Sequence, residues 1–247
     1  MFLDGVRIVL VHTRFPENIG MASRACANMG CPDLCLVAPE RWVYEKAVPL
    51  ATPKGLPVLD AVSVHASLET AISDVHLVLG TTARTGGWRK GVLLPEEAAK
   101  HLVARLIAGE KVALLFGPED RGLENSEIAF CQDLITIPTD AASSLNLAQS
   151  VLLVLYECAK AKRAFASLPK QTGKTVSQQE MQCFFEHFKT MLLMLDCLHG
   201  DNVEYFFLPW KRLFGRMELK RSEYDALMGL CRQIRNKIQT GIPSQRF

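Results

Sequence analysis

The sequence predicts an α/β fold in which a mostly parallel sheet is flanked by helices, followed by a small all-helical extension at the C-terminus. Two observations predict it. Short apolar runs alternate with helical patterns through the first part of the chain, and the pattern that follows it is helical throughout. Alternation of strands and helices on this scale is typical of a parallel sheet covered on both faces.

The predicted strands are short apolar runs bounded by polar or turn-forming residues. They lie at residues 6–11, 34–37, 76–79, 112–116 and 134–137. Helices are predicted at about 19–29, 68–72, 95–108 and 145–165. Asn18 is placed to cap the first helix and Gly30 to end it. The stretch VPLATPKGLP is punctuated by proline and glycine, and no element is predicted in it.

The chain divides by composition into two predicted domains. Residues 1–166 form the α/β domain, SLPKQTGKT at 167–175 is a turn-rich linker, and 176–247 form a basic helical domain. The pattern Ser177–Glu180 is a capping box that opens one helix of this tail. Ser222 is predicted to cap a last helix that runs to about residue 239.

Charge is distributed unevenly between the two parts. Residues 1–159 hold 13 Lys/Arg against 18 Asp/Glu, a balance of −5, whereas residues 160–247 hold 15 against 8, a balance of +7. A basic tail beside an acidic body fits a polyanionic partner contacted through the tail. A solvated helical surface explains the same charge equally well.

Several classes of protein are disfavoured by simple features. No apolar run approaches the roughly 20 residues of a membrane span, and the N-terminus lacks a signal-peptide pattern, so we expect a soluble cytoplasmic protein. The 8 cysteines include no C-x-x-C pair. Cys26, Cys31 and Cys35 are interpreted as buried free thiols rather than metal ligands, which fits a reducing compartment.

Three unusual loops follow predicted strands, and each is a candidate for a ligand site. They are HTRFPENIGMASRA, FGPEDRGL and PTDAASSLNLAQ. Ligands of open α/β sheets bind outside the carboxyl ends of the strands. Gly117 and Gly122 suit a loop that turns tightly or approaches a ligand closely. A dinucleotide fingerprint and a phosphate-binding P-loop are both missing from the sequence.

The same loops carry a resemblance to a known family. NIGMASRACANMG, LLFGPEDRGL and SSLNLAQSV resemble the three ordered motifs of the SpoU (TrmH) family of RNA ribose 2′-O-methyltransferases. VRIVLVHTRFPENIGMASRA, GTTAR and WKRLFGR resemble its TrmJ-type branch, which methylates the tRNA anticodon loop. The resemblance covers nearly the whole chain and is weakest across residues 170–209.

The resemblance implies a SPOUT-class fold, in which the C-terminal segment of the α/β domain forms a deep trefoil knot. Such knots are rare exceptions to the rule that chains do not thread loops. It also implies a homodimer, S-adenosylmethionine as cofactor and tRNA as partner, with methylation at nucleotide 32 on cytidine or uridine. The reaction needs no metal, and the spacing of His and Cys indicates none.

The resemblance assigns catalytic roles to Arg24, Asn18, Glu119 and Ser144. Arg24 is the family's proposed base, but a guanidinium stays protonated in proteins, and binding phosphate or stabilising an alkoxide is an equally physical role. A surface arginine paired with a local carboxylate is the structural alternative. Asn18 caps a helix or orients Arg24 or the substrate, and Glu119 fixes the arginine or serves its turn. Ser144 can cap the following helix and line the site at once.

Cofactor contacts in this class are made largely by backbone groups. The corresponding positions are Thr81, Thr82, Ala83, Gly117, Ile137, Ser144, Leu145 and Asn146.

Candidate RNA contacts lie in the basic tail and in one glycine-bearing loop. They are Lys211, Arg212 and Arg216 in the tail and Arg84, Arg89 and Lys90 in the loop GTTARTGGWRKG. Lys160, Lys162 and Arg163 form a second patch, and Trp210 either stacks on a base or packs within the tail. Two further functions stay open at this point, methylation of another tRNA or rRNA site and a knotted RNA-binding protein without catalysis.

Overall fold

A seven-stranded sheet organises the first part of the chain. The computed structural model describes residues 2–84, 91–140, 144–165, 175–198 and 202–240. Its strands are β1 (Val6–Val11), β2 (Asp33–Val37), β3 (Ser63–His65), β4 (Leu77–Thr81), β5 (Val92–Leu93), β6 (Val112–Phe116) and β7 (Asp133–Ile135). Its helices are α1 (Pro16–Met29), α2 (Tyr44–Asp60), α3 (Leu68–Ala71), α4 (Pro95–Ile107), α5 (Asn125–Ile128), α6 (Leu147–Phe165), α7 (Gln178–Met194), α8 (Val203–Gly215) and α9 (Arg221–Thr240).

The sheet has the order β3-β2-β1-β6-β4-β7-β5, and each described pairing is parallel. Because successive strand residues point to opposite faces of the sheet, a strand contributes side chains to the apolar core on each face. Ile8 and Leu114 face a core with α1, α4 and α6, whereas Val9 and Leu115 face a smaller one with α3. The predicted parallel sheet flanked by helices is therefore confirmed.

The strand order brings three distant loops to one edge of the sheet. β6 lies between β1 and β4, and β7 pairs with the other side of β4. In a parallel sheet the carboxyl ends of all strands point the same way, so the segments that follow these four strands leave the sheet side by side. The trefoil knot stays a prediction, since part of the segment between β7 and α6 (141–143) lies outside the described residues.

The predicted cap of the first helix was wrong. α1 begins at Pro16, with Phe15 in the cap position, so Asn18 lies within the first turn. Proline suits the first helical position because its φ is already helical and its missing N–H has no partner there. The side chain of Asn18 is thereby released for contacts outside the helix.

The proline-rich stretch after β2, in which no element was predicted, forms α2. Its two helical segments meet at Thr52, whose φ of 57° and ψ of 165° are not helical. Thr52 precedes Pro53, and a proline disfavours the helical region for the residue before it. The prolines therefore kink α2 without preventing it. The short elements β3, β5 and α5 were also not predicted.

The C-terminal helices α7, α8 and α9 share a third apolar cluster, whose described members lie between Val176 and Ile234. The predicted capping box is confirmed, since Ser177 accepts from the Glu180 N–H and Glu180 accepts from the Ser177 N–H. Ser222 does not cap the last helix, because α9 already begins at Arg221. Most of the predicted linker lies outside the described residues.

A buried carboxylate joins the two parts of the chain. Glu110 accepts from the Thr175 N–H at 2.6 Å and from its hydroxyl at 2.8 Å. Arg105 lies 3.3 Å from Glu110 and also pairs with Glu218 in the tail. Since a buried carboxylate without partners is costly, these bonds fix the start of the tail against the α/β domain.

The cysteines of the first part are free and buried, as expected for Cys26, Cys31 and Cys35. A hydrogen bond with Cys31, together with burial, raises the pKa of the Cys26 thiol. Among the described residues, each helix is too short or too polar to cross a bilayer.

We predict that Gly20→Ala destabilises the fold. The added methyl group would overlap the carbonyl oxygen of Ala47, so α1 and α2 would have to separate. Overpacking of this kind costs about 1–3 kcal/mol in the free energy of unfolding, measurable by urea denaturation. Gly229→Ala in α9 is the matched control, because its methyl group meets open space and an alanine favours the helix. Equal stability of the two variants would contradict the close packing of α1 on α2.

Candidate active site at the carboxyl edge of the sheet

A cavity of about 380 Å³ opens where β4, β6 and β7 end. We call it the sheet-edge cavity. Seven of the eight predicted cofactor contacts line it, namely Thr81, Thr82, Ala83, Gly117, Ile137, Ser144 and Leu145. Apolar Phe116 and Ile135 lie beside the carboxylates of Glu119 and Asp120 in its wall. Arg84 and Arg121 line it too, so the cavity offers an apolar surface and charges of both signs.

The loop after β6 closes tightly around Gly117. A methyl group there would overlap the backbone of Gly122 and Leu123. Gly122 has a φ of +65°, a conformation that favours glycine, and its N–H donates to the Pro118 carbonyl at 2.9 Å. The two glycines thus form the tight turn that the sequence indicated, and it holds Glu119 at the cavity.

The loop after β4 is fixed by its threonines. The Thr81 hydroxyl donates to the Leu115 carbonyl at 3.0 Å, and the Thr82 N–H donates to the Ile135 carbonyl at 2.9 Å. The Thr82 hydroxyl donates to the Arg84 carbonyl at 2.9 Å. These bonds hold one wall of the sheet-edge cavity against β6 and β7.

A second, wider cavity of about 500 Å³ adjoins the first. We call it the outer cavity. It is lined by Phe15, Glu17, Asn18, Glu119, Ser144, Leu145 and Asn146. Glu119, Ser144 and Leu145 line both cavities, so these three residues form the boundary between them. The Ser144 hydroxyl is exposed at this boundary and forms no hydrogen bond within the described part of the chain.

A chain of hydrogen bonds links the three motif loops. Asn146 donates to Asn18 Oδ1 at 2.9 Å, and Asn18 Nδ2 donates to Glu119 Oε1 at 2.6 Å. The Arg14 N–H donates to the other Glu119 oxygen at 3.2 Å. Asn18 is only 6% exposed. We call this chain the asparagine–glutamate relay, and it fixes both oxygens of Glu119.

Asn146, not Ser144, caps α6. Its side-chain oxygen accepts from the backbone N–H groups of Ala148 and Gln149, at 2.9 and 3.3 Å. Of the eight predicted cofactor contacts, Asn146 is the one that does not line the sheet-edge cavity. It lines the outer cavity instead. The interpretation of Ser144 as a helix cap was wrong, which leaves its hydroxyl available at the boundary of the cavities.

An exposed ionic network surrounds the relay. Arg14 pairs with Glu40 at 3.1 Å and with Asp120 at 2.8 Å. Arg121 lies 3.4 Å from the same two carboxylates, and its carbonyl accepts a hydrogen bond from Arg84. Exposed pairs contribute little stability, so the network mainly orders the rim. Arg14 was not singled out by the sequence, although it lies in a loop that was.

A half-buried histidine at the start of the loop after β1 contacts α5. His12, with a φ of 51°, directly follows β1 and places its Nε2 atom 3.4 Å from Glu127 Oε1. Burial raises the pKa of the Glu127 carboxyl. Since Glu127 lies in α5, directly after the turn that carries Glu119, this contact joins the ends of β1 and the turn.

Comparison with known proteins agrees with this geometry. The SpoU rRNA Methylase family matches residues 5–156. The chain belongs to this family. It is 34% identical to the tRNA (cytidine/uridine/adenosine-2′-O-)-methyltransferase TrmJ of Pseudomonas aeruginosa over 99% of this chain and 98% of the relative.

A second relative and a solved structure match nearly the whole chain, including the part that follows residues 5–156. The tRNA (cytidine/uridine-2′-O-)-methyltransferase TrmJ of Sodalis glossinidius is 30% identical, over 98% of this chain and 96% of its own length. The crystal structure of TrmJ from Z. mobilis ZM4 has a TM-score of 0.80 and 31% identity, and the match covers 93% of this chain and 98% of that one. The expected SpoU-type, TrmJ-like methyltransferase is therefore confirmed.

Arg24 is not among the residues that line either cavity. It lies on α1 six residues after Asn18, about 9 Å further along the helix. Its side chain is exposed and forms no hydrogen bond or ion pair with the described residues. Glu119 contacts Asn18 and Arg14 instead, so the interpretation in which Glu119 fixes Arg24 was wrong for a single chain. The backbone of Arg24 packs closely against Gly55 of α2, because a methyl group added at Gly55 would overlap it.

The predicted RNA contacts of the tail lie at the end of α8. Arg216 is exposed, while Lys211 and Arg212 are half-buried. Burial, and then the neighbouring charge of Arg216, lower the pKa of the Arg212 guanidinium. Trp210 contacts the Phe188 ring edge-on at 5.4 Å and is 37% exposed, which supports packing within the tail.

The remaining basic candidates differ in whether their side chains already have partners within the chain. Arg89 and Lys90 lie outside the described residues. Lys160 pairs with Glu157 at 3.0 Å. Lys162 donates to the Phe2 carbonyl at 2.6 Å, and the charges of Lys162 and Arg163 lie over the Phe2 ring. The second predicted patch is thus largely engaged within the chain.

We predict that Asn18→Ala lowers the free energy of unfolding by about 1–3 kcal/mol. The change leaves Glu119 Oε1 and the Asn146 amide without their partner. Urea denaturation followed by circular dichroism measures the loss. Arg14→Ala is the control, since it removes exposed ion pairs and keeps the backbone N–H that binds Glu119, and should cost less than about 1 kcal/mol. A larger loss in the control would show that the rim, not the relay, holds the loops together.

Proposed function

We propose that this chain is an S-adenosylmethionine-dependent tRNA ribose 2′-O-methyltransferase of the anticodon loop, acting at nucleotide 32. The observation that carries the proposal is the pair of adjoining cavities that share Glu119, Ser144 and Leu145. One cavity suits the methyl donor and the other the ribose, and their boundary is where a methyl group would pass. The names of the TrmJ relatives, which describe 2′-O-methylation of tRNA, support the substrate.

The residues of the sheet-edge cavity fit S-adenosylmethionine. Its volume of about 380 Å³ lies in the range of small-molecule sites. Phe116, Ile135 and Ile137 offer an apolar surface for an adenine. Glu119 and Asp120 lie beside Arg84 and Arg121 in the lining, so the cavity has charges of both signs, which suits the amino-acid group of the cofactor. Gly117, which tolerates no side chain, lets the turn that bears Glu119 fold onto its own backbone beside the cavity. When bound, the cofactor supplies a methyl group already activated by a positively charged sulfur.

The protein must then orient a ribose hydroxyl and remove its proton. Alignment alone can contribute on the order of 7–11 kcal/mol to lowering such a barrier. The relay holds Asn18 and Glu119 in one geometry, and the exposed Ser144 hydroxyl can bond to the substrate at the boundary. We infer that these three residues position the ribose, while Asn146 keeps α6 and Asn18 in register.

We infer that Arg24 acts as a fixed positive charge that binds the RNA phosphate or stabilises the developing alkoxide. Its place outside both cavities of one chain fits action from a second copy. α6 exposes Leu152, Leu153 and Tyr156, an apolar surface that a homodimer would cover. The homodimer and a cytoplasmic location are both part of the proposal.

Titration with S-adenosylmethionine in a calorimeter tests the cofactor. We expect binding in the presence of tRNA, because the sheet-edge cavity is formed by backbone that the tight turn already fixes. No binding with tRNA present would contradict an enzyme and favour a knotted RNA-binding protein without catalysis. Methyl transfer to rRNA alone would favour the other open alternative.

We predict that Arg24→Ala reduces methyl transfer to tRNA about 100-fold to 1,000-fold, as expected for the loss of one charge-stabilising donor. Unfolding and cofactor binding should stay unchanged, because Arg24 is exposed and lines neither cavity. A tritiated-methyl filter assay measures the rate. Lys54→Ala, which removes a nearby exposed cation on α2, is the control and should retain activity. A near-normal rate for the Arg24 variant would remove Arg24 from the mechanism.

We predict that replacing Lys211 and Arg216 together by alanine weakens tRNA binding and reduces its salt dependence. Each phosphate contact contributes about 0.7–0.9 to the slope of log affinity against log salt concentration. Fluorescence anisotropy with labelled tRNA at several salt concentrations measures both quantities. Replacing Arg232 and Lys237 of α9 removes the same charge elsewhere on the tail. Identical effects of the two double variants would show a general charge effect instead of a defined contact.

A further inference from the structure

A half-exposed aromatic ring lies in the outer cavity and has no role in the function so far described. Phe15 is 52% exposed and lines this cavity together with Asn18 and Glu119. No other ring contacts it among the described residues. Exposing an apolar phenyl group to water is unfavourable, and a ligand that covers the ring would remove this cost. Its position is therefore better suited to a ligand surface than to the core.

The backbone of Phe15 is rigidly held. It is extended, with a φ of −111° and a ψ of 112°, as the following Pro16 requires. Its carbonyl accepts from the Asn18 N–H at 3.0 Å. The preceding residue, Arg14, is fixed by its bonds to Glu119 and Asp120. A ring on such a support loses little conformational entropy when a planar group stacks on it.

The chemistry of the outer cavity distinguishes between the parts of a nucleotide. Glu17 and Glu119 contribute carboxylates, and Asn18, Ser144 and Asn146 contribute amides and a hydroxyl. No Lys or Arg is among the described residues that line it. A phosphate would be repelled there, whereas a ribose and a base can donate hydrogen bonds to the carboxylates. The volume of about 500 Å³ is ample for one nucleoside.

We propose that Phe15 stacks on the base of the nucleotide whose ribose is methylated, and holds that nucleoside in the outer cavity. Enzymes that act on one nucleotide commonly take it out of the stack, and aromatic side chains then replace the neighbouring bases. Stacking on Phe15 would place the ribose between the ring and the boundary residues Glu119 and Ser144. This inference rests on the proposed tRNA methyltransferase function.

The test compares three variants of the full-length chain, Phe15→Ala, Phe15→Leu and Phe15→Trp. Methyl-transfer kcat/KM with unmodified tRNA is measured for each, together with S-adenosylmethionine affinity and oligomeric state by light scattering. We expect the alanine and leucine variants to lose about 10-fold or more in kcat/KM, the effect typical of removing one stacked base contact. The tryptophan variant should stay within about 2-fold of the wild type, since its ring also stacks. Cofactor affinity should not change, because Phe15 does not line the sheet-edge cavity.

Three results would overturn the inference while the wild type is active. They are a wild-type rate for the alanine variant, recovery by leucine as full as by tryptophan, and a changed oligomeric state that accounts for the loss. The second result would mean apolar packing and the third a subunit interface. An inactive wild type that does not bind the cofactor would instead reject the proposed function, and this inference with it.

Discussion

The side-chain amide of Asn18 connects the three parts of the chain on which the site depends. It accepts a hydrogen bond from Asn146, at the start of α6, and donates one to Glu119, in the turn after β6. An amide is suited to this position because it donates and accepts at the same time. Both partners are themselves fixed, Asn146 by capping α6 and Glu119 by the Arg14 N–H. The relay therefore sets the boundary between the two cavities.

The sheet makes such a relay possible. Asn18 and Glu119 are 101 residues apart in sequence, yet β1 and β6 are neighbours in the sheet, so the segments that follow them meet. Two glycines then allow the backbone segments around the site to pack closely. Gly20 lets α1 approach α2, and Gly117 lets the turn fold onto its own backbone. The site thus consists of loops with little freedom, which is what alignment of two reactants requires.

The sequence predicted the sheet and much of the cavity because both depend on local patterns. Apolar runs marked β1 and β6 at their observed bounds, and glycines marked the turn at Gly117. Seven of the eight predicted cofactor contacts line one cavity, since they follow strands whose carboxyl ends share an edge. Their roles in binding stay predictions.

Other features depend on contacts that no local pattern contains. Asn18 looked like a cap because its type favours caps, but Pro16 starts the helix earlier. The kinked α2 forms despite its prolines, because its two segments pack against α1. The partners of Glu119 lie far away in sequence, so Arg14 could not be paired with it in advance. Arg24 was expected within the site, but its position along α1 takes it outside both cavities.

Locating the transferred methyl group on the RNA tests the proposed reaction directly. Unmodified tRNA would be incubated with the protein and S-adenosylmethionine carrying a deuterated methyl group, then digested with nuclease and analysed by mass spectrometry. We expect one labelled ribose, in the anticodon loop at nucleotide 32. A label on a base, or tRNA without label while the cofactor binds, would contradict it.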